Sequence, residues 1–586
     1  MPGNMALLWT VIAMYMAIVI SAGIYYSRFV KTADAYFRAE NSVPWWAAGI
    51  AIYKANFTAY TFVAIASLVY VDGLSGLLLE TGPALAFLVA AVVFANRWRR
   101  LDITSPPEYL ETRFNPATRR VFSVLGIATT FLASGMRLYA VSKLVEAILG
   151  LPLLWVICVA GSVMVLYTVL GGLSAVVVTD VLQFLILFLA VVPMLFTSVA
   201  HVFTEGGLAH FISLIPPGYG SFPHLEHDRT LGWLLAFWFS YLLDYNGDWG
   251  VIQMMCATPS EKDSRRAAFL AMALGIPHAF LLLGPCFIAR VLWAKEVADP
   301  SVMAQAETVY WRIALKLLPT GMIGVVAAAM LAATMSTLTV AWNVRATSFV
   351  NDIYSRFLRP RASDKEKILA GRLAVIAIGG TATSVAAYIA VRSSGLFALA
   401  QGVIGFVVIP LILPLLCGLL IRRLNPWSAL AGFGASLLFA MTNEWTPWLY
   451  GRQAPMPFER QIVFGVLFGL AGMLVCAQLP QDAEYSRQVE RLFRKMSQPS
   501  RPREGDLTLP APMGILSVLT GAVSLLVMLL ALTPQKVADR LLTVGEGVAL
   551  GGIALLMRRA GRRFEAATAR EAKVSVTAAT ADTRRS

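Results

Sequence analysis

Charged side chains are scarce in this chain. Only 14% of its 586 residues are Asp, Glu, Lys or Arg, whereas 58% are hydrophobic. A soluble protein would carry about 25% charged and about 45–50% apolar residues. The excess apolar residues gather in runs of about 20, the length that spans ~30 Å of hydrocarbon. A single soluble core cannot absorb so many runs, so the composition excludes a soluble protein and predicts an all-α, polytopic membrane protein.

Histidine and cysteine are equally sparse, with five of each. No histidine pairs with an acid at catalytic spacing, and the cysteines lie in or beside apolar runs, as small buried hydrophobes do. No nucleotide-binding loop is present, which disfavours a pump. The net charge of +14 is not gathered on one face, so nucleic acid is not an expected partner. No cofactor is expected beyond a coupling ion.

About fifteen apolar segments follow one another along the chain. Their approximate bounds are 6–27, 46–71, 77–96, 121–150, 152–170, 174–203, 231–254, 267–293, 320–344, 368–391, 396–421, 428–449, 461–478, 513–532 and 541–557. The first lacks a basic start and a small-residue cleavage site, so it is predicted to be a retained helix. The tail after Arg558 is basic and then rich in Ala and Thr, which predicts disorder.

The basic residues fall on alternate loops. With the N-terminus placed outside, the inside loops hold 35 of the 48 Lys and Arg residues and the outside loops hold nine. Because cytoplasmic loops carry the excess of basic residues, this pattern predicts a multi-pass protein of the inner (plasma) membrane. Its N-terminus is expected outside and its C-terminus in the cytoplasm, with the bilayer as a partner.

Two apolar segments are interrupted by polar residues. The second holds Lys54 and Asn56 within residues 52–61, and the seventh holds Asp244 and Asp248 within residues 241–250. Polar groups at this depth are costly and usually functional. The two segments are five helices apart, which predicts two five-helix repeats of opposite orientation, and such paired breaks indicate a transporter's midplane site. The alternative is a pair of water-lined polar patches without a ligand.

The ninth segment carries a second constellation. Ala333, Ser336 and Thr337 stand at i, i+3 and i+4 and therefore share a helix face. Two hydroxyls and a backbone carbonyl are hard oxygen ligands suited to a small hard cation. The spacing alone is more typical of hydroxyls that bond a carbonyl of their own helix or a neighbouring helix.

Several motifs together resemble one family, the sodium/solute symporters (solute carrier family 5). The strongest match is Gly171-Gly172-Leu173-Ser174-Ala175-Val176-Val177-Val178-Thr179-Asp180-Val181-Leu182-Gln183. Further matches, in order from about residue 6 to 480, are Pro44-Trp45-Trp46, Ser260-Glu261-Lys262 with Arg265-Arg266, Ala333 to Thr337 with Asn343 and Asp352-Ile353-Tyr354, and Gly395-Leu396-Phe397 through Gln401 and Gly405. Segments 14 and 15 are peripheral additions.

The resemblance implies a five-plus-five inverted-repeat fold of the amino-acid/polyamine/cation superfamily type, which works by alternating access. The implied boundaries are 1–45 for a peripheral helix, 46–203 and 231–422 for the repeats, 204–230 for an extracellular loop, 423–480 for two peripheral helices, 481–512 for a polar cytoplasmic linker, 513–557 for two C-terminal helices and 558–586 for the tail.

The resemblance also implies a sodium site. Ser336, Thr337 and the carbonyl of Ala333 would bind the ion together with carbonyls at the break of segment two, where Lys54 and Phe57 occupy the donating positions. Asp180 would lie near the ion's cytoplasmic exit, and its alternative role is that of a structural residue at a helix start.

Lys54 departs from the family, which usually has a small residue there. An ammonium a few ångströms from sodium would repel it by several kcal/mol even at an effective dielectric constant of about 20. Three alternatives follow. Lys54 points away and pairs with Asp180, Asp244 or Asp248; it deprotonates on burial and carries a coupling proton; or its ammonium replaces sodium.

The solute-facing residues depart as well. Tyr60 and Thr61 stand where sugar carriers of the family often have an acid–polar pair, and Gly275 stands where some have a cation. The candidate solute contacts at or across the breaks are Asn56, Tyr60, Asp244, Tyr245, Asp248, Trp249 and Gln401. Trp249 could stack on a sugar or serve as a packing aromatic, and Arg137 either binds a solute carboxylate or, as we expect, pairs with an acid.

The predicted function is secondary active transport, with sodium-coupled symport of a small polar organic solute such as a sugar, a sialic-acid-like compound, a carboxylate or an amino acid. The alternatives are a sodium-independent or proton-coupled transporter that uses Lys54 in place of the cation, a sensor that does not transport, and a membrane-embedded enzyme. We expect no enzymatic activity, because no catalytic constellation is evident.

Overall fold

A computed structural model of the chain provides the architecture. It describes residues 43–54, 57–103, 106–224, 228–301, 303–392, 396–499, 512–530 and 543–559, with scattered positions between 6 and 21 and at 537, 540 and 541. Half of the predicted first segment and nearly all of the basic tail therefore lie outside the described residues. Within the described ranges the regular structure is helical, apart from an isolated bridge between His224 and Arg229.

The helices are numbered in chain order. The first ten are α1 Trp45–Lys54, α2 Thr61–Asp72, α3 Leu74–Leu101, α4 Pro106–Arg113, α5 Pro116–Leu149, α6 Leu153–Thr204, α7 Gly207–Leu214, α8 Leu231–Gly247, α9 Trp249–Cys256 and α10 Glu261–Val297. The next eleven are α11 Met303–Ala306, α12 Val309–Leu317, α13 Thr320–Ser348, α14 Asp364–Arg392, α15 Leu396–Val403, α16 Ile409–Leu420, α17 Ser428–Trp445, α18 Phe458–Ala477, α19 Ala483–Ser497, α20 Pro512–Leu530 and α21 at 543–559.

Eight of the helical stretches in the described ranges are long and apolar enough to cross a bilayer. Three shorter apolar helices, among them α2, fall below that length. The structure therefore confirms an all-helical protein with many apolar spans. The total of about fifteen spans stays a prediction.

The second and seventh predicted segments are both interrupted. The first interruption separates α1 from α2, where Phe57 and Thr58 are not helical. The second is a single residue, Asp248, whose φ of −65° and ψ of 127° are extended; its side chain accepts a hydrogen bond from the N–H of Val251 at 2.9 Å and so caps α9. An aspartate at this position ends one helix and starts the next because its carboxylate satisfies a free N–H of the first turn.

The fifth and sixth predicted segments differ from expectation. The sequence predicts separate spans at 152–170 and 174–203, whereas α6 is continuous over 52 residues, Leu153–Thr204. Glycines 171 and 172 lower helix propensity by about 1 kcal/mol each, but they retain their backbone N–H groups, so they do not by themselves end a helix.

The predicted polar linker at 481–512 contains a folded helix. Helix α19 buries Tyr485, Val489, Leu492 and Met496 against the body of the protein, and it packs on the end of α3 and on α4. These four residues recur at the spacing of one helix face. The many charged residues between them obscured that pattern in the sequence.

Arg113, at the end of α4, ties α19 to the end of α16. The side chain is fully buried; its Nε donates to the carbonyl of Gly418 at 2.9 Å and its Nη2 to the carbonyl of Ile421 at 2.7 Å. Its Nη1 donates to the hydroxyl of Tyr485, which in turn donates to the carbonyl of Leu424 at 2.9 Å. The planar guanidinium thus satisfies carbonyls at a helix C-terminus that would otherwise lack donors.

The substitution Arg113→Lys should destabilise the protein by roughly 2–4 kcal/mol, because an ammonium cannot reach all of these acceptors and buried carbonyls lose their donors. The thermal unfolding midpoint of the detergent-purified protein measures this loss. Arg487→Lys on the exposed face of α19 is the matched control and should leave the midpoint unchanged. Equal midpoints for both variants would contradict the anchoring role of Arg113.

Candidate functional site

The break between α1 and α2 lies against α13. The backbone N–H of Ala59 donates to the Thr334 hydroxyl at 2.8 Å. Broken helices are tolerated within a bilayer only where the freed backbone groups find partners or line a cavity. A side chain of the ninth segment supplies such a partner here.

Three oxygen atoms meet one turn further along α13. The Thr337 Oγ1 atom lies 2.9 Å from the carbonyl oxygen of Ala333 and 3.2 Å from the carbonyl oxygen of Phe57. A hydroxyl has one proton and can donate it to only one carbonyl at a time. We call these three atoms the oxygen cluster; they are hard ligands of the kind that a small cation prefers. Ser336 belongs to the same helical turn, but its side chain lies outside the described residues.

Lys54 ends α1 and turns its side chain toward α6. Its Nζ lies 3.3 Å from Asp180 Oδ1 and donates to Gln183 Oε1 at 2.7 Å, and both members of the ion pair are 1% exposed. Asp180 and Gln183 are the last charged and polar positions of the Gly171–Gln183 motif. Of the three alternatives for Lys54, this geometry is the first, pairing with Asp180. The backbone carbonyl of Lys54 accepts a hydrogen bond from the N–H of Phe57 at 2.8 Å.

A first cavity reaches the oxygen cluster. It has a volume of about 60 Å³, room for a few water molecules or an ion. Its polar lining comes from Arg137, Asp180, Asp244, Tyr245, Asp248 and Thr337. The break of the seventh segment contributes Asp244, Tyr245 and Asp248 to this cavity, whereas the second segment contributes only Ala51, which precedes its break.

A second, larger cavity adjoins the first. It has a volume of about 170 Å³ and is lined mainly by hydroxyl-bearing and apolar side chains. Its polar lining residues are Thr58, Tyr60, Thr61, Glu80, Arg137, Tyr241, Asp244 and Tyr245. Arg137, Asp244 and Tyr245 line both cavities and so form the boundary between them.

Trp249 and Gln401, two other predicted solute contacts, line neither cavity. Trp249 is buried, and the Cζ atom of Arg345 lies 3.8 Å from the centroid of the Trp249 ring. The same ring packs on Gly126. Gln401 is half-buried on α15, whose neighbouring residues Ala400 and Val403 line the second cavity. Asn56 lies outside the described residues.

Glu80 is the cavity residue that the sequence analysis missed. It lies at a turn within α3, is 3% exposed, and lines the second cavity. A single acid beside a long apolar run was the available signal, since ionisable groups within membrane helices are usually functional.

Two broken helices that line a pair of adjoining cavities, beside a cluster of hard oxygen ligands, define a secondary transporter. The comparisons with known proteins agree. Residues 36–435 match the sequence profile of the Sodium:solute symporter family, and the chain belongs to that family. It is therefore a multi-pass membrane transporter that couples solute movement to sodium.

The relatives cover most of the chain. A sodium/glucose cotransporter of Vibrio parahaemolyticus is 28% identical over 491 residues, which are 78% of this chain and 88% of that protein. The human sodium/myo-inositol cotransporter 2 is 26% identical over 79% of this chain and 73% of its own length. A sodium/sialic acid symporter of Proteus mirabilis is 26% identical over 74% of this chain and 88% of its own length.

A solved structure shares the fold. A Na⁺-coupled sialic acid symporter in a substrate-bound, outward-open state superposes with a TM-score of 0.67 at 22% identity, over 81% of this chain and 98% of that one. At that identity the likeness establishes the fold alone.

Separating the buried ion pair should be costly. Lys54→Met leaves Asp180 as an uncompensated buried charge, and Asp180→Asn does the same to Lys54, so each should destabilise the protein by about 3–5 kcal/mol. The double variant Lys54→Met/Asp180→Asn should recover much of that loss in the thermal unfolding midpoint. Lys316→Met, which breaks the more exposed pair with Glu296, is the control and should have little effect. Losses that simply add in the double variant would show that the two charges do not interact.

Proposed function

We propose that this protein takes up a neutral polyhydroxylated solute, of the sugar or polyol class, together with sodium. The observation that carries the proposal is the junction of the two cavities: a cavity rich in hydroxyls and carboxylates meets, at Asp244 and Tyr245, a smaller one that reaches the oxygen cluster. Ion and solute can then occupy adjoining volumes in one protein conformation.

In this proposal sodium binds the oxygen cluster. The ion replaces the hydrogen bonds between the Thr337 hydroxyl and the two carbonyls. Thr337 Oγ1 and the carbonyl oxygens of Phe57 and Ala333 then all coordinate the ion, and Ser336 is a further ligand. Asp180 lines the same cavity and offers a negative site on the ion's way out. The carbonyl of Lys54 remains a candidate ligand, although it accepts from Phe57 N–H in this state.

The formal charges around the cavities favour a neutral solute. The four acids are Glu80, Asp180, Asp244 and Asp248. The three cations are Arg137, Lys54, which pairs with Asp180, and Arg345, which interacts electrostatically with Asp248. The balance is a single negative charge that one sodium ion neutralises. An anionic solute would leave a net buried charge, which is costly.

The second cavity supplies the matching donors and acceptors. Glu80 and Asp244 accept hydrogen bonds from sugar hydroxyls, and the phenols of Tyr60, Tyr241 and Tyr245 both donate and accept. Their rings provide the apolar surface on which a sugar face packs. The relatives named for glucose and myo-inositol carry neutral polyhydroxylated solutes, in accord with this chemistry, whereas the relative named for sialic acid carries an acidic one.

Arg137 separates the two cavities. It lies close enough to Asp244 to interact electrostatically, and we propose that this interaction holds the boundary between the cavities. Movement of one helical bundle against the other would open one cavity while closing the other, which is alternating access.

The proposed architecture is that of two five-helix inverted repeats, segments 2–6 and 7–11, among about fifteen spans in the inner membrane. Segments 5 and 6 count as two spans in this proposal because α6 has 52 residues, about 78 Å at 1.5 Å per residue, which is more than twice the ~30 Å of hydrocarbon. The N-terminus lies outside and the C-terminus, with α19, lies in the cytoplasm. The alternation of basic loops supports this orientation, and the breaks at corresponding positions of the two repeats support the symmetry.

Solute class is tested by flux into proteoliposomes under an inward sodium gradient. Glucose and myo-inositol should accumulate, whereas glucuronate, N-acetylneuraminate and proline should not, and replacing sodium by choline should abolish accumulation. Uptake of an acid sugar in preference to its neutral counterpart would contradict the charge argument. Accumulation in choline that follows a pH gradient would instead favour proton coupling.

The ion site is tested by Thr337→Val, which removes the cluster hydroxyl without changing the side-chain shape. Loss of one ligand to a charged group is worth about 1.5–3 kcal/mol, so the sodium concentration for half-maximal uptake should rise at least about tenfold. Thr337→Ser keeps the hydroxyl and should retain near-normal sodium affinity. Thr339→Val is the matched control, since the Thr339 hydroxyl is buried on the same helix but bonds to the Met335 carbonyl. An unchanged sodium dependence in Thr337→Val would exclude the cluster as the site.

A further inference from the structure

Three buried side chains form a polar chain from the second cavity to α1. Tyr53, on the last turn of α1, has its hydroxyl 2.9 Å from His278 Nδ1 on α10. The opposite ring nitrogen, Nε2, lies 3.6 Å from Glu80 Oε1. The three residues are between 1% and 3% exposed. Glu80 itself lines the cavity, so the chain begins where a solute would bind.

Glu80 acts on the imidazole through electrostatics, because 3.6 Å is beyond hydrogen-bond distance. A negative charge on Glu80 favours the histidine tautomer that carries its proton on Nε2. In that tautomer Nδ1 is an acceptor, and the Tyr53 hydroxyl donates to it. Any contact that moves the Glu80 carboxylate away from His278 changes the preferred tautomer of the imidazole, and with it the hydrogen bond between Nδ1 and the Tyr53 hydroxyl.

The imidazole contacts residues before and within the first helix break. Tyr53 precedes the break, and Phe57 lies within it, with its ring centroid 4.0 Å from that of His278. The carbonyl of Phe57 belongs to the oxygen cluster, 3.2 Å from Thr337 Oγ1. Movement of His278 therefore acts directly on a residue that supplies a cation ligand.

Packing limits the freedom of this arrangement. The Tyr53 ring makes edge contacts with the rings of Phe57, Phe184 and His278 at 5.5–5.7 Å. Phe184 follows Gln183, which holds the Lys54 ammonium. Displacement of the imidazole cannot be absorbed by empty space and must move its neighbours, because buried side chains are close-packed.

We propose that His278 is a positioning residue that couples solute binding to sodium binding. A solute hydroxyl that bonds Glu80 alters the Glu80–His278 contact, and the imidazole transmits the change through Tyr53 and Phe57 to the oxygen cluster. The coupling is reciprocal, so sodium at the cluster also readies Glu80 for the solute. This inference rests on the proposed function of the two cavities.

The experiment measures sodium binding by the purified full-length protein in nanodiscs, using tryptophan fluorescence with choline as the balancing ion. Titrations are made with and without 100 mM myo-inositol or glucose. The variants are Tyr53→Phe, which removes one hydroxyl, and His278→Phe, which keeps the ring contact but removes both nitrogens. Tyr310→Phe is the matched control, because Tyr310 is equally buried and lies outside the chain.

In the wild type and in Tyr310→Phe, one of the two solutes should lower the sodium half-saturation by about fivefold or more, the lower end of typical coupling. In Tyr53→Phe and His278→Phe the solute should change it by less than about twofold, while sodium alone still binds. Full coupling in both variants, or an equal loss in Tyr310→Phe, would overturn the proposal.

A second arm needs no solute. Glu80→Gln should shift the sodium concentration for half-saturation at least about threefold in the wild-type background. In the Tyr53→Phe background the same substitution should shift it by less than about 1.5-fold, because the effects of residues that act on one another are not additive. Equal shifts in both backgrounds would overturn the role of the chain. If the wild type responds to sodium but to neither solute, the proposed solute class fails while this arm still decides the role of His278. A wild type that does not respond to sodium contradicts the sodium site and the coupling together.

Discussion

The contact between the first helix break and α13 is the interaction on which the rest of the site depends. Backbone groups freed at a break within a bilayer have no water to satisfy them, so they must find partners inside the protein. Thr334 and Thr337 provide these partners through the N–H of Ala59 and the carbonyl of Phe57. The same contact that makes the break tolerable also gathers three oxygen atoms beside a cavity. In the proposed function, the atoms that satisfy the broken backbone are therefore also the ion ligands.

Lys54 is accommodated because the structure gives its charge a partner of its own. The ammonium is held by Asp180 and Gln183 on α6, and a paired charge perturbs a nearby cation less than a free one. Asp180 thereby serves two purposes: it neutralises Lys54, and it lines the cavity that reaches the oxygen cluster. The small residue that the sequence resemblance implies at position 54 would need no such partner.

Much of this arrangement could be predicted from the sequence, and the exceptions have physical causes. Polar residues in long apolar runs marked both breaks, because that signal is local. The oxygen cluster at Ala333 and Thr337 followed from the family resemblance, since the i, i+4 spacing alone is more typical of hydroxyls that bond their own helix. Glu80 was missed because its role depends on which helices meet around it, and Trp249 was placed by packing on Gly126 that no local pattern reveals. Helix α19 was hidden because its four buried residues are separated by charges that suggest a solvated linker.

The central claim is that sodium occupies the oxygen cluster while Lys54 stays paired with Asp180. The most direct measurement is a pair of high-resolution cryo-electron-microscopy maps of the protein, one in sodium and one in choline. The account predicts a density peak among Thr337 Oγ1 and the carbonyl oxygens of Ala333 and Phe57 that is present only in sodium, with the Lys54 side chain unchanged. A Lys54 ammonium occupying that position in both maps, or no difference between them, would contradict it.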